Sequence, residues 1–210
     1  EVSAGDNHAC AVMTTGAVMC WGGNESGQLG IGSTTGSTVP VDIPSLSTGV
    51  LQVCAGGTRL FTAGSPFACA LLAGGAVTCW GANASGQLGD GSTIDRLAPV
   101  GVTGISSGAA AVAAGAFHAC ALMAGGGVKC WGLNSSGQLG DGTTTNRRTP
   151  VDVAGLGSAA VAVSAGGYHT CAVLDTGDIQ CWGMNLFGEL GDGTATNRGQ
   201  PVTVSGITSG

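Results

Sequence analysis

The chain has 210 residues, 41 of them glycine and only 9% charged, with a net charge of −6 and a pI near 4.6. Charge falls far below the roughly 25% of ordinary soluble proteins, and glycine is about three times commoner than usual. No Gly-X-Y period exists, which excludes collagen. No apolar run approaches the roughly 20 residues that span a bilayer. No basic stripe is available to neutralise phosphates, so nucleic acid is not an expected partner.

The chain opens at Glu1 rather than Met, which reads as a processed form or an excerpt, with no signal peptide. The first signal is Val2-Ser3-Ala4-Gly5, a small-residue run read as the end of a first strand. His8 to Met13 reads as strand two and Ala17 to Trp21 as strand three. Between them, Thr14-Thr15-Gly16 is a three-residue hairpin loop whose last position needs a left-handed backbone, which glycine adopts without steric cost. Strand four reads as Pro40 to Ile43.

The pattern then returns. Val53, Val112 and Val163 stand where Val2 stands, at intervals of 51, 59 and 51 residues. Gly75, Gly126 and Gly177 repeat Gly16, and Pro99, Pro150 and Pro201 repeat Pro40. A four-stranded unit of about 50 residues is a propeller blade. The expected fold is all-β: four repeats, each a four-stranded antiparallel sheet, forming an open arc or part of a larger ring. The blades are expected at 1–51, 52–110, 111–161 and 162–210, as one repeat domain. Blade 2 carries 8 extra residues at 57–64.

The run Cys20-Trp21-Gly22-Gly23-Asn24-Glu25-Ser26-Gly27-Gln28-Leu29-Gly30 resembles the regulator of chromosome condensation repeat. So do the runs from Cys79, Cys130 and Cys181, each preceded by the matching strand two. The resemblance implies a propeller that works by presenting a face to another protein. The family's namesake is a nuclear nucleotide-exchange factor, other members serve as ubiquitin-ligase modules, and a secreted bacterial member inhibits β-lactamase. This chain departs from the nuclear pattern. It is acidic, has no basic tail, and has four repeats where family propellers usually have seven. No exchange-factor residue carries over.

Eight of the nine cysteines form pairs of constant spacing: Cys10/Cys20, Cys69/Cys79, Cys120/Cys130 and Cys171/Cys181. The hairpin register sets each pair directly across from one another, within disulfide reach. Four within-blade disulfides are expected, with buried free thiols as the alternative. Zinc does not fit the spacing. Four bridges imply an oxidising place, secreted or at the cell surface. Cys54 replaces Ser3, Ala113 and Ser164 and reads as a small buried residue, with an intermolecular bridge as the other option.

Other polar residues follow the repeat. His8, His118 and His169 share a position that holds Phe67 in blade 2, so packing is expected there rather than chemistry. The four tryptophans read as packing between blades. Asp90, Asp141 and Asp192 sit in Gly-Asp-Gly turns where blade 1 has Ile31. An Asp supporting its own turn, or pairing with the later Arg, fits better than calcium. Asn24, Asn83 and Asn134 stand in glycosylation sequons that are also motif positions.

No nucleophile elbow, phosphate loop or paired carboxylates stand outside the repeat. No catalytic, cofactor or metal residue is therefore assigned. The expected function is a non-enzymatic extracellular binding protein that acts through blade surfaces and associates with further copies of itself. The alternative is an inhibitor-like or adhesion module docking one foreign protein. Within the insertion, Arg59, Leu60 and Phe61 are the candidate interface: an Arg and two large apolar groups bracketed by Gly and Thr, of types favoured as interface anchors. The competing reading folds Leu60 and Phe61 back over their own blade.

Overall fold

The computed structural model describes residues 1–58 and 65–207. The described residues form sixteen strands in four antiparallel sheets, each with its strands in sequence order. The first sheet holds β1 (Val2–Ala4), β2 (His8–Val12), β3 (Val18–Gly22) and β4 (Ser37–Asp42). The second holds β5 (Val50–Gly56), β6 (Phe67–Leu72), β7 (Val77–Gly81) and β8 (Arg96–Gly101). The third holds β9 (Ala109–Ala114), β10 (His118–Met123), β11 (Val128–Gly132) and β12 (Arg147–Asp152). The fourth holds β13 (Ala160–Ala165), β14 (His169–Leu174), β15 (Ile179–Gly183) and β16 (Arg198–Thr203). This is the all-β architecture of four-stranded blades expected from the repeat. The first strands of all four blades line one hollow of small residues. Consecutive sheets pack face to face, giving an open arc.

The hairpin between the second and third strands forms as its chemistry dictates. Gly16 has φ +79°, its amide donates to the Met13 carbonyl at 2.9 Å, and the Met13 amide donates to the Ala17 carbonyl at 2.8 Å. That turn fixes the register in which Cys10 faces Cys20 and His8 faces Gly22.

The fourth strand differs from expectation. It begins at Ser37, not Pro40. Proline's missing N–H marks a strand start or an edge. Here it is an edge, because β4 pairs only with β3, and a register shift between Cys20 and Gly22 absorbs the misfit.

Each third strand ends in a glycine that no other residue can replace without a clash. Gly132 has φ +105°, and a Cβ there would lie 2.5 Å from the Phe117 carbonyl oxygen and 2.8 Å from His118 Cα. Both obstacles are backbone, so neither can rotate away. Gly132→Ala should therefore cost more than about 2 kcal/mol. Equilibrium denaturation should show a lower midpoint with the same fold by circular dichroism; an unchanged midpoint would refute this account.

Candidate functional site

The motif after each third strand builds the joint between blades. Asn24, Asn83, Asn134 and Asn185 are buried. Each side-chain oxygen accepts the amide of a buried leucine five residues on, at 2.9–3.0 Å. Each side-chain nitrogen donates into the turn that follows; Asn24 reaches the Ser33 and Thr35 carbonyls, both at 2.9 Å. With the nitrogen buried and committed, the folded chain cannot carry a glycan there.

The turn so held presents a backbone carbonyl to the next blade. Trp80 Nε1 donates to the Gln28 carbonyl at 2.9 Å, Trp131 to Gln87 at 2.9 Å, and Trp182 to Gln138 at 3.0 Å. A second bond runs the other way. The amides of Gly32, Gly91 and Gly142 donate to the Leu97, Arg148 and Gly199 carbonyls in the following blade's fourth strand, at 2.8, 2.9 and 2.9 Å. Around this reciprocal latch, the leaving face of one blade and the arriving face of the next form a shared apolar core. At the first joint, Val18, Ile43 and Leu46 of blade 1 pack against Val50, Val53 and Trp80 of blade 2.

The polar residues with chemical potential are consumed by the repeat. Asp90, Asp141 and Asp192 hold their own turns through Ser92, Thr143 and Thr194 and pair with Arg96, Arg147 and Arg198 at 2.7, 2.8 and 2.8 Å. Burial pushes the Asp90 carboxyl up, but Ser92, Arg96 and Asn83 outweigh it and hold the group below the usual carboxylate range. His118 lies in the third joint, with Nε2 2.9 Å from Thr170 Oγ1. Burial, reinforced by His169, pushes its imidazole down to about 3. His8 is buried with neither ring nitrogen partnered among the described residues. Burial pushes it down to about 4, against a weaker upward pull from the Phe67 backbone.

The four cysteine pairs face one another across strands two and three, with Cα atoms 4.0–4.1 Å apart and sulfurs at bonding distance. Cys54 is buried and free. It lies in register with Cys69 on the adjacent strand, and burial pushes its thiol up to about 12. Arg59, Leu60 and Phe61 lie outside the described residues. The base of their loop is tied to blade 3: the Gly57 amide donates to the Gly115 carbonyl at 3.0 Å and Ser65 Oγ to the Ala116 carbonyl at 2.8 Å.

What the arc does not consume lies at its two ends. In the inner blades, β6 and β10 are buried at every residue but the last. In the end blades burial alternates with opposite phase. β2 buries His8 and Cys10, whereas β14 buries Thr170, Ala172 and Leu174. Blade 1 thus bares its arriving face and blade 4 its leaving face. Val2 is 67% exposed, while its counterparts Val53 and Val112 are 1% and 2% exposed. Ile207 is 46% exposed against 1% for Ile105. Trp21 is half-buried, with no carbonyl on its indole nitrogen among the described residues. An apolar hollow lined by Val163, Cys171, Val173 and Ile179 opens on blade 4. In the loop after β15, Leu186 and Phe187 are 62% and 91% exposed, where the other blades carry Glu25-Ser26, Ala84-Ser85 and Ser135-Ser136. That break in the repeat was visible in the sequence as a break, though not as a surface.

A family model for the regulator of chromosome condensation (RCC1) repeat matches residues 15–61, 74–122 and 126–173, and a second for the same repeat matches 1–28, 60–87, 109–138 and 160–189. The chain belongs to this family. It is 33% identical over 208 residues to the ultraviolet-B receptor UVR8 of Arabidopsis thaliana, covering 97% of this chain and 45% of that protein. It is 36% identical over 211 residues to the probable E3 ubiquitin-protein ligase HERC4 of Mus musculus, covering 98% and 19%. The chain therefore spans less than half the length of these relatives. In fold it is similar to human WBSCR16, with a TM-score of 0.81 at 22% identity, over 98% of this chain and 52% of that one. Prp20p from Saccharomyces cerevisiae gives a TM-score of 0.81 at 19% identity, over 98% and 50%.

The two buried histidines make stability depend on pH. Both stay neutral in the folded chain down to about pH 4, whereas the unfolded chain binds protons below about pH 6.5. Stability therefore falls as pH drops from 6.5 toward 4, by up to about 1.4 kcal/mol per unit for each group. Phe67 already fills the equivalent position in blade 2. His8→Phe should raise stability at pH 5 and flatten the acid slope by roughly half of the two-histidine effect. Urea melts at several pH values measure this; an unchanged slope would exclude His8 as a source.

Proposed function

We propose that this chain is a non-catalytic, extracellular protein-docking domain: an arc of RCC1-type blades that binds protein through blade surfaces, including further copies of itself. The observation that supports this most is the bare apolar surface on the two end blades, at positions the inner blades bury. Apolar patches of this kind mark interaction sites in soluble proteins. The repeated Asp90, Asp141 and Asp192 and the buried His8 and His118, in contrast, are spent on turns and joints. Prp20p, which shares the fold, binds Gsp1p and histones, in keeping with a propeller surface that takes proteins. The eight paired cysteines support an oxidising compartment, where such bridges persist.

A second reading rests on Leu186 and Phe187. A leucine and a phenylalanine displayed on one loop, where three sister loops are small or polar, suit the anchor of a foreign protein on the propeller face.

Two measurements test the main reading. Alkylation of the unfolded chain without reductant should add one label, on Cys54, by intact mass; eight or nine labels would overturn the oxidising assignment. The native chain at high dilution should bind an apolar fluorescent dye, and a Val2→Asp, Ile207→Asp double variant should lose roughly half of that signal. A native chain that binds no dye would sink the docking surface itself.

A further inference from the structure

Blade 2 holds three cysteines in one row. Cys54 on β5 stands in register with Cys69 on β6, and Cys69 stands in register with Cys79 on β7. Directly opposed residues of neighbouring strands project from the same face of a sheet, and all three cysteines lie in the apolar core of the second joint. Cys69 and Cys79 are bridged, and Cys54 is free. The other blades have the bridge alone, with Ser3, Ala113 and Ser164 at the position of Cys54. The spacing along the row is that of two possible bridges. Cys69 and Cys79 have Cα atoms 4.0 Å apart, the close spacing of a pair without backbone bonds between its members, so the Cys69 amide and carbonyl point the other way, toward β5. Cys54 and Cys69 are therefore a hydrogen-bonded pair, with Cα atoms about 5.5 Å apart, which a disulfide can span. The Cys54 Sγ lies 3.6 Å from the Cys69 carbonyl oxygen.

We propose that Cys54 makes blade 2 an internal disulfide-exchange unit, in which the Cys54 sulfur attacks Sγ of Cys69 and displaces Cys79. One S–S bond forms, between Cys54 and Cys69, and one breaks, between Cys69 and Cys79. The proton that leaves Cys54 is matched by the one that Cys79 takes up, and no external oxidant or reductant is consumed. The order of the row suits the step. Cys54 and Cys79 flank Cys69 on opposite sides, so the incoming sulfur approaches away from the leaving one. Cys54 and Cys79 are two strands apart, about 9–10 Å, too far to bridge each other. The exchange changes what the bridge holds. Cys69–Cys79 ties the central hairpin of β6 and β7. Cys54–Cys69 would tie β5 to β6, the strands on either side of the 57–64 insertion, and leave β7 held by backbone bonds alone. Burial pushes the Cys54 thiol up to about 12, against a downward pull from the Cys69 backbone and with a further rise from the Glu1 charge. The attacking thiolate is therefore scarce at neutral pH, and the exchange is slow until the pH is raised.

Mapping the free thiol tests this. The folded, oxidised chain is held at about pH 9 for hours, quenched in acid, then unfolded and labelled with a maleimide at about pH 6, where thiolate attack is slow. Intact mass should show one label per chain. Peptide mapping should divide that label between Cys54 and Cys79 and leave Cys69 unlabelled, because Cys69 is bridged in both forms. A label confined to Cys54 overturns the exchange, and labels scattered over the other blades overturn its order. Two variants read the geometry. Cys79→Ser removes the leaving sulfur and leaves Cys54 and Cys69 to bridge, so after air oxidation it should take no label. Cys69→Ser removes the central sulfur and should take two. A Cys79→Ser chain that keeps the circular dichroism of the wild type yet takes two labels overturns the proposed second bridge. The wild-type map needs no substitution, so it decides the matter even where a variant misfolds.

Discussion

A blade of this protein cannot bury itself. Its sheet is apolar on both faces, and one sheet can only be covered by neighbours on either side. The reciprocal latch answers that constraint: an indole N–H from the arriving blade meets a turn carbonyl of the leaving blade, and a turn amide returns the bond. The geometry of the turn therefore matters more than its exposure suggests. The buried Asn fixes the turn, the turn aims the carbonyl, and the carbonyl seats the next tryptophan. Loss of the asparagine would disturb two blades, not one.

The composition follows from the same constraint. Few charges are tolerated because each inner sheet has no wet face; β6 and β10 run almost entirely through buried positions. Glycine is abundant because every blade has several tight turns and backbone approaches. The cross-strand cysteines lie at the heart of this arrangement, in the middle of the central hairpin and against the next blade's arriving face. A bridge there ties together the two strands that carry most of the joint. It closes only a short loop, so its stabilising effect is on the order of 2–3 kcal/mol in the chain-entropy model.

Much of the fold was legible in the sequence because its signals are local and repeated four times. Gly16 and its counterparts announce the hairpin, and the hairpin sets Cys10 opposite Cys20. The start of the fourth strand was not legible, since Pro40 marks an edge as readily as a beginning. The candidate site was harder for a different reason. Val2 and Val53 are the same residue in the same motif, yet one is 67% exposed and the other 1%. No letter distinguishes them; only a place at the end of the arc does. The loop around Arg59, Leu60 and Phe61 breaks the repeat by its length, and the described residues give its anchored base. Leu186 and Phe187 break the repeat equally, standing where the other blades carry Glu25-Ser26, Ala84-Ser85 and Ser135-Ser136.

The latch has a direction, and direction restricts what the ends can accept. Two blade 1 faces brought together would oppose two indole donors and leave both without a carbonyl. Two blade 4 faces would oppose turn carbonyls with no indole between them. A self-complementary two-fold contact between like ends would therefore leave both latch sets unsatisfied, whereas a further blade in the same orientation, of this chain or of another, would satisfy them. A heterologous contact of that kind closes into a ring if its rotation divides a full turn, and otherwise continues as a filament. Two arcs would make an eight-bladed ring, at the upper end of the range propellers adopt. Whether such a ring closes without strain depends on the angle between blades, and that angle is set by the packing of Val, Leu and Trp side chains at each joint rather than by the latch bonds. The same residues that hide the inner faces thus decide how the exposed ones can be covered.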